Sequence, residues 1–520
     1  MLNSLRTLIN NITVKTLMKK TICLLALLLL APFFSGAQNL KTLDRIAEQY
    51  AQKTFPLLLS FLRLPNNANK PLAYEANMLW SENEFQGRGF KTTRINTAAA
   101  PLLLAEKVLD PDLKTVLFYV HVDGQPVDPS QWEQENPYEA VVKKQNDKGQ
   151  WKTLPWDSLV KYEDDWRIYA RSASDAKGPV IMFLAALDAI KELGKSPNFN
   201  LKIIIDFEEE LGSPNLPLAV LENKVLLKAD NLVIFDGPQH RSNQPTLSFG
   251  ARGIATAQLT TYGPIVPQHS GHFGNYVPNP ALRLSRLLAS MKGEDGKVII
   301  PGFYDGIVID LETENTLKST PFDKEGFMDA VQIAATDQVG SYYHESIQFP
   351  SLNIRGMQSG EINEKARTII PAWAKAEIDV RLVLESNPER LLRLIKEHIE
   401  KQGYYVIDRV PTKEERLTYP KIATYKATVS YQSFRTPFDS KIGVWLTKSM
   451  KRAFDKEPIR IRMSGGSIPI SPFVLTLGIP AVAVPTVNPD NNQHSPNENI
   501  RLGNYRDGIK TMIALLTEKL

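Results

Sequence analysis

Apolar runs and helical periodicities alternate along the first half of the chain. Residues 115–120 form an apolar run typical of a buried strand, and residues 201–207 and 231–235 form two more. Between the first two runs, residues 178–193 repeat apolar side chains at the spacing of a helix that packs on a core. Strands that alternate with helices in this way predict an α/β fold with a mostly parallel sheet.

The pattern changes after residue 250 and returns near residue 438. Residues 254–261 and 374–383 alternate apolar and polar side chains, as half-buried strands do, and helical periodicity follows each of them. This mixture is typical of an α+β domain with its own sheet. The sequence therefore predicts one domain, formed by residues 38–250 and 438–520, that a smaller α+β domain over residues 251–437 interrupts.

The first 37 residues differ from the rest of the chain. The basic pair Lys19-Lys20 precedes an apolar run over residues 22–31, and small residues follow at 35–37. This order is typical of a cleavable signal peptide, and the apolar run is too short to span a bilayer. The sequence therefore predicts that residues 1–37 are a signal peptide and that the protein is exported, to the periplasm or outside the cell.

Charge and cysteine content narrow the classes of function. The chain has 61 basic and 57 acidic residues; four basic residues and no acidic ones lie in the predicted signal peptide, so 57 of each remain. A balanced chain without a basic block offers no electrostatic surface for nucleic acid or anionic lipid. The single cysteine, Cys23, lies in the same segment. We therefore expect no nucleic-acid or membrane partner, no thiol nucleophile and no cysteine-bound metal in the mature chain.

Five short polar segments carry the residues of a two-metal hydrolase site. Three of them directly follow predicted strands, where open α/β sheets bind their ligands. Together they offer two imidazoles and three carboxylates, the nitrogen and oxygen ligands that zinc takes while leaving a position open for water. The segments are His121-Val122-Asp123-Gly124, Ser174-Asp175-Ala176-Lys177-Gly178, Glu208-Glu209-Glu210-Leu211-Gly212-Ser213, Phe235-Asp236 and Gln493-His494-Ser495.

With these segments the chain resembles the M20 family of metallopeptidases, in the branch of the carnosinase-like dipeptidases, over essentially all of residues 40–520. Further motifs that carry the resemblance are His269-Ser270-Gly271, Gly465-Gly466-Ser467-Ile468-Pro469 and His494-Ser495-Pro496-Asn497-Glu498. One position departs from the family's pattern, since Ala176 stands where many relatives have a second acidic residue. The resemblance implies a peptidase domain with two metal ions, interrupted by a smaller lid and dimerisation domain.

The resemblance also implies a role for each residue of the predicted metal site. The implied ligands are His121, Asp175 and Asp236 for one ion and Asp175, Glu210 and His494 for the other. Asp175 would bridge the ions, with a cis peptide bond after it. Asp123 would orient the imidazole of His121 by a hydrogen bond, and Glu209 would be the general base. Without the resemblance, a turn aspartate, a helix cap and a solvated acidic run are the simpler explanations of these acidic residues.

Other residues are assigned to the substrate. The resemblance implies that His269 crosses a dimer interface and polarises the substrate carbonyl in the neighbouring subunit, whereas by sequence alone it would be a surface-loop histidine. Arg381 ends an alternating strand, where its guanidinium could hold a carboxylate through two hydrogen bonds or form a surface salt bridge. The segment Gly466-Ser467 offers backbone N–H groups and a hydroxyl to an anion. The predicted substrate-binding residues are Thr368, Arg381, Gly466 and Ser467.

The sequence therefore predicts an exported, metal-dependent exopeptidase of dipeptidase or carboxypeptidase type that cleaves a peptide bond near a free carboxylate. The nucleophile would be a metal-bridging water that Glu209 deprotonates. The predicted cofactors are two divalent ions per subunit, zinc before manganese or cobalt, and the predicted assembly is a homodimer that acts on a small peptide. The alternative enzyme is an N-acyl-amino-acid deacylase with the same site. A non-catalytic binding protein on this fold is a distant alternative, because it would be expected to have lost ligands that are present here.

Overall fold

The structure, a computed structural model, describes residues 40–70, 73–466 and 468–520. The predicted signal peptide at residues 1–37 and the predicted substrate-binding residue Ser467 lie outside the described residues. Within the described part of the chain, no helix combines the length and the apolar character needed to cross a membrane.

The strands, numbered in chain order, form two main sheets and three small ones. The large sheet has eight strands, in the spatial order β1 (Lys91–Ile95), β2 (Leu102–Lys107), β7 (Asn200–Asp206), β3 (Thr115–His121), β8 (Asn231–Ile234), β20 (Ala481–Ala483), β9 (Thr246–Ser248) and β19 (Ile459–Ile461). The five-stranded sheet has the order β13 (Ser351–Gln358), β15 (Trp373–Leu382), β11 (Gly253–Tyr262), β17 (Ile422–Tyr431) and β16 (Tyr405–Ile407). The small sheets are β21 (Asn499–Arg501) with β6 (Arg167–Tyr169), β4 (Val141–Gln145) and β5 (Trp151–Leu154), then β10 (Gly250–Ala251) with β18 (Phe434–Arg435), and β12 (Gln268–His269) with β14 (Ile369–Ile370).

The helices are numbered in the same way. They are α1 (40–62), α2 (Ala73–Gly87), α3 (Lys177–Glu192), α4 (Leu216–Glu222), α5 (Ser270–Phe273), α6 (Pro280–Ala289), α7 (Leu311–Lys318), α8 (Lys324–Val331), α9 (Tyr343–Ser346), α10 (Pro388–Lys401), α11 (Lys413–Thr418), α12 (Lys441–Phe454), α13 (Ser471–Leu477) and α14 (Leu502–Thr517). Short 3₁₀ turns add Pro129–Gln131, Trp156–Lys161, Glu209–Leu211 and Asn363–Lys365.

Helices cover both faces of the large sheet. Along β3, Phe118 and Val120 belong to a core shared with α1, α3, α12 and α14, whereas Leu117 and Tyr119 belong to a second core with α4 and α13. This alternation explains why β3 is apolar throughout, because both of its faces are buried. The neighbours β7, β3, β8 and β20 are parallel, whereas β1 pairs antiparallel with β2 and β2 with β7. The predicted α/β fold is confirmed, with a mixed sheet whose parallel strands lie at its centre.

Helices pack against one face of the five-stranded sheet. In β15, Ala376, Ile378 and Val380 pack with leucines and isoleucines of α6 and α10, whereas Trp373 on the other face is exposed. The pairs β13–β15, β15–β11 and β11–β17 are antiparallel. All strands of this sheet come from residues 253–431, between β9 and β19 of the large sheet. The predicted domain boundaries at residues 250 and 437 stay a prediction.

Candidate metal centre and active site

The residues of the predicted metal site converge at the carboxyl edge of the large sheet. His121 is the last residue of β3, Glu210 lies in the 3₁₀ turn after β7, and Asp236 follows β8. Because these three strands are parallel neighbours, their carboxyl ends lie side by side. Asp175 lies just before α3, with a cis peptide bond after it as the resemblance implies, and His494 lies in the loop between β20 and β21.

Asp175 lies between two groups of side chains that could each hold one metal ion. Its Oδ1 is 3.0 Å from His121 Nε2, and the same nitrogen is 3.6 Å from Asp236 Oδ1. Its Oδ2 is 3.0 Å from His494 Nε2, which is 3.2 Å from Glu210 Oε2. Within each group the candidate ligand atoms all lie within 4.8 Å of one another. The structure therefore brings the five residues together in the two predicted sets.

The unpaired atoms and charges of this centre fit divalent cations. His121 Nε2 and Asp175 Oδ2 are buried, and although each lies 3.0 Å from an atom of another candidate ligand, neither makes a hydrogen bond of suitable geometry among the described residues. A buried polar atom without a partner costs about 1–3 kcal/mol, which a bound cation would remove. Burial, reinforced by the carboxylate of Asp175, raises the pKa of Glu210 to about 7, and the carboxylate of Asp175, 3.0 Å from Nε2, raises the pKa of His494 to about 9. Both shifts mean that Glu210 and His494 bind protons more readily than usual, because the clustered carboxylates favour positive charge at this position. A set of nitrogen and oxygen ligands of this kind suits zinc.

Asp123 connects the two groups of candidate ligands. Its Oδ1 is 3.3 Å from Nδ1 of His121, on the side of the ring opposite the metal site. Its Oδ2 accepts a hydrogen bond of 2.9 Å from the backbone N–H of Glu210. A carboxylate in this position fixes the orientation of a metal-binding imidazole. The side chain of Glu210 is held in addition by Gln125, whose amide donates to Oε2 at 2.7 Å.

A cavity of about 330 Å³ opens on the candidate metal centre. Glu209, Asp175, Asp236 and His494 line it, and Gly466 contributes to its wall. Burial raises the pKa of Glu209 well above its usual range. The predicted general base therefore lies in the same cavity as ligands of both groups, which is the arrangement that hydrolysis by an activated water needs.

A buried ion pair, not singled out from the sequence, holds the segment that carries Asp175. Glu498 is fully buried, and its carboxylate accepts hydrogen bonds from the backbone N–H groups of Ser172, Ser174 and Asp175 at 2.9, 3.0 and 2.9 Å. Arg171 donates to the same carboxylate at 2.7 Å. Glu498 ends the last motif that carries the family resemblance, and this is the signal that could have marked it. Its contact with Arg171 joins distant parts of the chain and leaves no trace in a local pattern.

The structure does not bring His269, Thr368 or Arg381 into this cavity. His269 and Thr368 are both exposed. They are neighbours, because β12 pairs with β14 and the N–H of Ser270 donates to the carbonyl of Thr368 at 3.0 Å. Arg381 lies near the end of β15, opposite Ile254 of β11, and is half-buried. None of the three is among the described residues that line the cavity.

The fold and the centre together define a class of protein, a metal-dependent hydrolase with an α/β fold and a candidate dinuclear metal site. Residues 117–518 match the model of the Peptidase family M20/M25/M40. The chain belongs to this family, and within it to the carnosinase-like dipeptidases, as the resemblance implied. It is therefore a hydrolase that acts on peptide bonds.

Individual relatives and solved structures agree with this assignment. The Cys-Gly metallodipeptidase dug1 of Schizosaccharomyces pombe is 27% identical over 424 residues, which cover 80% of this chain and 82% of the relative. The Beta-Ala-His dipeptidase of Homo sapiens is 28% identical over 424 residues, 80% of this chain and 77% of the relative. The M20 family metallo-carboxypeptidase Sso-CP2 from Sulfolobus solfataricus superposes with a TM-score of 0.73 and 26% identity over 89% of this chain and 98% of its own. Human carnosine dipeptidase 1 has the same fold, with a TM-score of 0.71 and 23% identity over 92% of this chain and 98% of its own.

These comparisons overturn the prediction that the protein is exported to the periplasm or outside the cell. The chain groups with Cys-Gly metallodipeptidases of the Dug1 type, which are cytosolic dipeptidases. The prediction rested only on residues 1–37, which lie outside the described residues. A basic pair before a short apolar run is a pattern of low specificity, since it depends on composition and on no particular contact.

Proposed function

We propose that the protein hydrolyses dipeptides that have a free C-terminal carboxylate. The proposal rests on one observation. Two groups of candidate metal ligands share Asp175, and Asp175 and Glu209 line the same small cavity. The names of the relatives support the size of the substrate, since they include a Cys-Gly metallodipeptidase and a Beta-Ala-His dipeptidase.

In this proposal each ion is held by three side chains. The proposed ligands are His121, Asp175 and Asp236 for one ion and Asp175, Glu210 and His494 for the other. Zinc is the proposed metal, with manganese and cobalt as the alternatives. Two divalent ions supply Lewis acidity toward the scissile carbonyl and make water in the site more acidic.

The chain's own residues then move the proton and position the substrate. Glu209 takes the proton of the attacking water and returns it to the leaving amine. Asp123 keeps the imidazole of His121 in one orientation through its Nδ1 contact. The free carboxylate of the substrate binds to the segment Gly466-Ser467, of which Gly466 lines the cavity. Arg381 and Thr368, which lie outside the cavity in the single chain, join this contact in the assembled enzyme.

We also propose that the protein is a homodimer in which His269 completes the site of the neighbouring subunit. Its exposed position outside the cavity supports this proposal. In that arrangement His269 donates a hydrogen bond to the oxygen that becomes negative during attack on the carbonyl.

A reconstitution screen tests the proposed function. Metal-free protein is loaded separately with zinc, manganese and cobalt and assayed on a panel of dipeptides and N-acyl amino acids. We expect metal-dependent hydrolysis of dipeptides. Faster turnover of N-acyl amino acids would assign the deacylase activity instead, and metal binding without hydrolysis of either class would assign a binding protein.

A further inference from the structure

A second pocket, of about 220 Å³, lies next to the cavity of the candidate metal centre. We call it the aromatic pocket, because rings form much of its wall. The rings belong to Phe322, Phe327, Tyr343, His240 and His344. His240 lies in the loop after β8 of the large sheet, and the other rings belong to the segment that connects the strands of the five-stranded sheet. The pocket therefore lies where the two sheet regions meet.

The aromatic pocket shares a wall with the cavity of the metal centre. Ile461 and Ser464 line both of them. Of the two residues that follow Ser464, Gly465 lines the aromatic pocket and Gly466 lines the metal-centre cavity. A Cβ atom at Gly465 would lie 3.3 Å from the hydroxyl of Tyr343, so the backbone approaches this ring closely. A ligand bound against Gly466 has the aromatic pocket directly beside it.

Contacts among the wall residues hold the rings in place before any ligand binds. Phe322 stacks on Tyr343 with ring centroids 4.4 Å apart and an angle of 13° between the planes. His240 Nε2 donates to the carbonyl of Pro321 at 2.8 Å, and His344 Nε2 lies 3.3 Å from the same oxygen.

Arg241 also lines the pocket, and its guanidinium lies over the Phe327 ring, 5.0 Å from the ring centroid. The pocket therefore offers a ligand ring faces together with the edge of a guanidinium that already rests on a ring. An aromatic group is the ligand that such a wall favours, because its face can stack on the rings and on the guanidinium of Arg241.

We infer that the aromatic pocket binds the side chain of the substrate's C-terminal residue and gives the enzyme a preference for dipeptides that end in an aromatic residue. The inference rests on the proposed function, in which Gly466 helps to bind the free carboxylate. A carboxylate held there places the α-carbon of the same residue beside Gly465, and its side chain then enters the aromatic pocket. Specificity comes from the burial and stacking of that side chain.

Turnover of alanyl-phenylalanine and alanyl-alanine by the metal-loaded enzyme tests the inference. We expect kcat/KM to be roughly 10- to 100-fold higher for alanyl-phenylalanine, the range that filling an apolar pocket gives. Phe322→Ala should lower kcat/KM for alanyl-phenylalanine by roughly 5- to 10-fold and leave the value for alanyl-alanine within about twofold. The milder Phe322→Leu serves if the alanine variant does not fold. Tyr419→Ala is the matched control, since Tyr419 stacks on Tyr405 with centroids 3.8 Å apart elsewhere on the same sheet region, and it should keep the preference.

Binding separates this inference from the proposed function. Glu209→Gln protein, measured by calorimetry, should bind alanyl-phenylalanine more tightly than alanyl-alanine, and the difference should shrink when Phe322 is also replaced. Equal affinities, or an equal loss for both peptides in the Phe322 variants, would overturn the inference even if dipeptides are cleaved. If the wild-type enzyme binds the aromatic peptide selectively and cleaves neither, the proposed function fails and the inference stands.

Discussion

The large sheet and the five-stranded region differ in where they place their predicted functional residues. In the large sheet, residues far apart in sequence, such as His121 and His494, meet at buried Asp175 with nitrogen-to-oxygen distances of 3.0 Å. In the five-stranded region, His269 and Thr368 are exposed, and neither they nor Arg381 line the metal-centre cavity. One region brings its predicted residues together within a single chain, whereas the other leaves His269 and Thr368 exposed and Arg381 half-buried, all three outside the cavity.

Strand direction explains the difference. Parallel strands place all their carboxyl ends at one edge, so polar residues that follow β3, β7 and β8 are forced together. Antiparallel strands distribute their ends over both edges, and β11, β15 and β17 are antiparallel neighbours. Arg381, near the carboxyl end of β15, therefore lies opposite Ile254 at the start of β11. His269 and Thr368 lie outside this sheet, at the β12–β14 pair.

The largest effect is expected from Glu209 and Asp175, two acidic residues of the metal-centre cavity that have different proposed roles. Glu209→Gln should lower kcat by about 10²–10⁴-fold or more and keep both ions, because an amide cannot accept the proton of water. Asp175→Ala should lose metal, because it removes the ligand shared by both groups. Metal content and kcat are measured on each purified variant. An active Glu209→Gln enzyme with two ions, or full metal content in Asp175→Ala, would contradict these roles.

The next effect tests whether the five-stranded region binds the substrate at all. Amidation of the C-terminus of a dipeptide should lower kcat/KM on the order of 10²–10³-fold, since it removes the charge that Arg381 is proposed to bind. Arg381→Ala should lower kcat/KM for the free acid by a similar factor and should add little to the loss on the amide, as expected for two partners in one contact.

A neighbouring arginine controls for the loss of positive charge on this sheet. Arg355 lies on the edge strand β13, where its Nη2 is 3.8 Å from Glu377. Arg355→Ala should change kcat/KM little for either peptide. If amidated and free dipeptides are cleaved alike, the proposed carboxylate contact is wrong.

A smaller effect is expected when the support of the metal ligands is removed without changing a ligand. All four groups that contact the Glu498 carboxylate are donors, so Glu498→Gln places an amide NH₂ among them. The variant should bind Co²⁺ about 10- to 100-fold more weakly, the usual cost of losing a residue that orients a ligand. Competition with a chelating dye measures the affinity.

The matched control for this variant is Glu518→Gln. Glu518 is also buried and is paired with Arg452 at 2.8 Å, but its neighbours belong to α12 and α14, away from the metal centre. Both variants should lose stability, and only Glu498→Gln should lose metal affinity. Equal Co²⁺ affinities in the two variants would mean that the Glu498 contacts stabilise the fold alone.

The smallest signal comes from mixing subunits. His269→Ala and Glu209→Gln proteins should each be nearly inactive, and an equal mixture that exchanges subunits should recover roughly a quarter of wild-type activity. Half of its dimers are mixed, and each of these has one complete site if His269 acts across the interface. Absence of recovery in verified mixed dimers would show that His269 does not act in trans.

Much of the metal centre could be predicted from the sequence because its information is local. The apolar run over residues 115–120 predicts a strand that ends at His121, and the apolar run over residues 231–235 predicts in the same way a strand that ends at Asp236. The motifs then gave the resemblance to the family, and the ligand sets that the resemblance implies are the two groups of side chains that the structure brings together. The prediction of export, which rested on the composition of residues 1–37 alone, was wrong.

Tertiary structure alone decided the features that depend on contacts between distant segments. The Glu498–Arg171 pair, the antiparallel edge of the large sheet and the aromatic pocket beside Gly465 each join residues that no periodicity links. Hydrophobic patterning fixes which face of an element is buried, because burial acts on each side chain separately. Which buried or polar groups meet depends on the packing of whole elements. The carboxylate of Glu498 reaches its four donors because β21, which follows it, pairs with β6, which precedes Arg171 and the Asp175 segment.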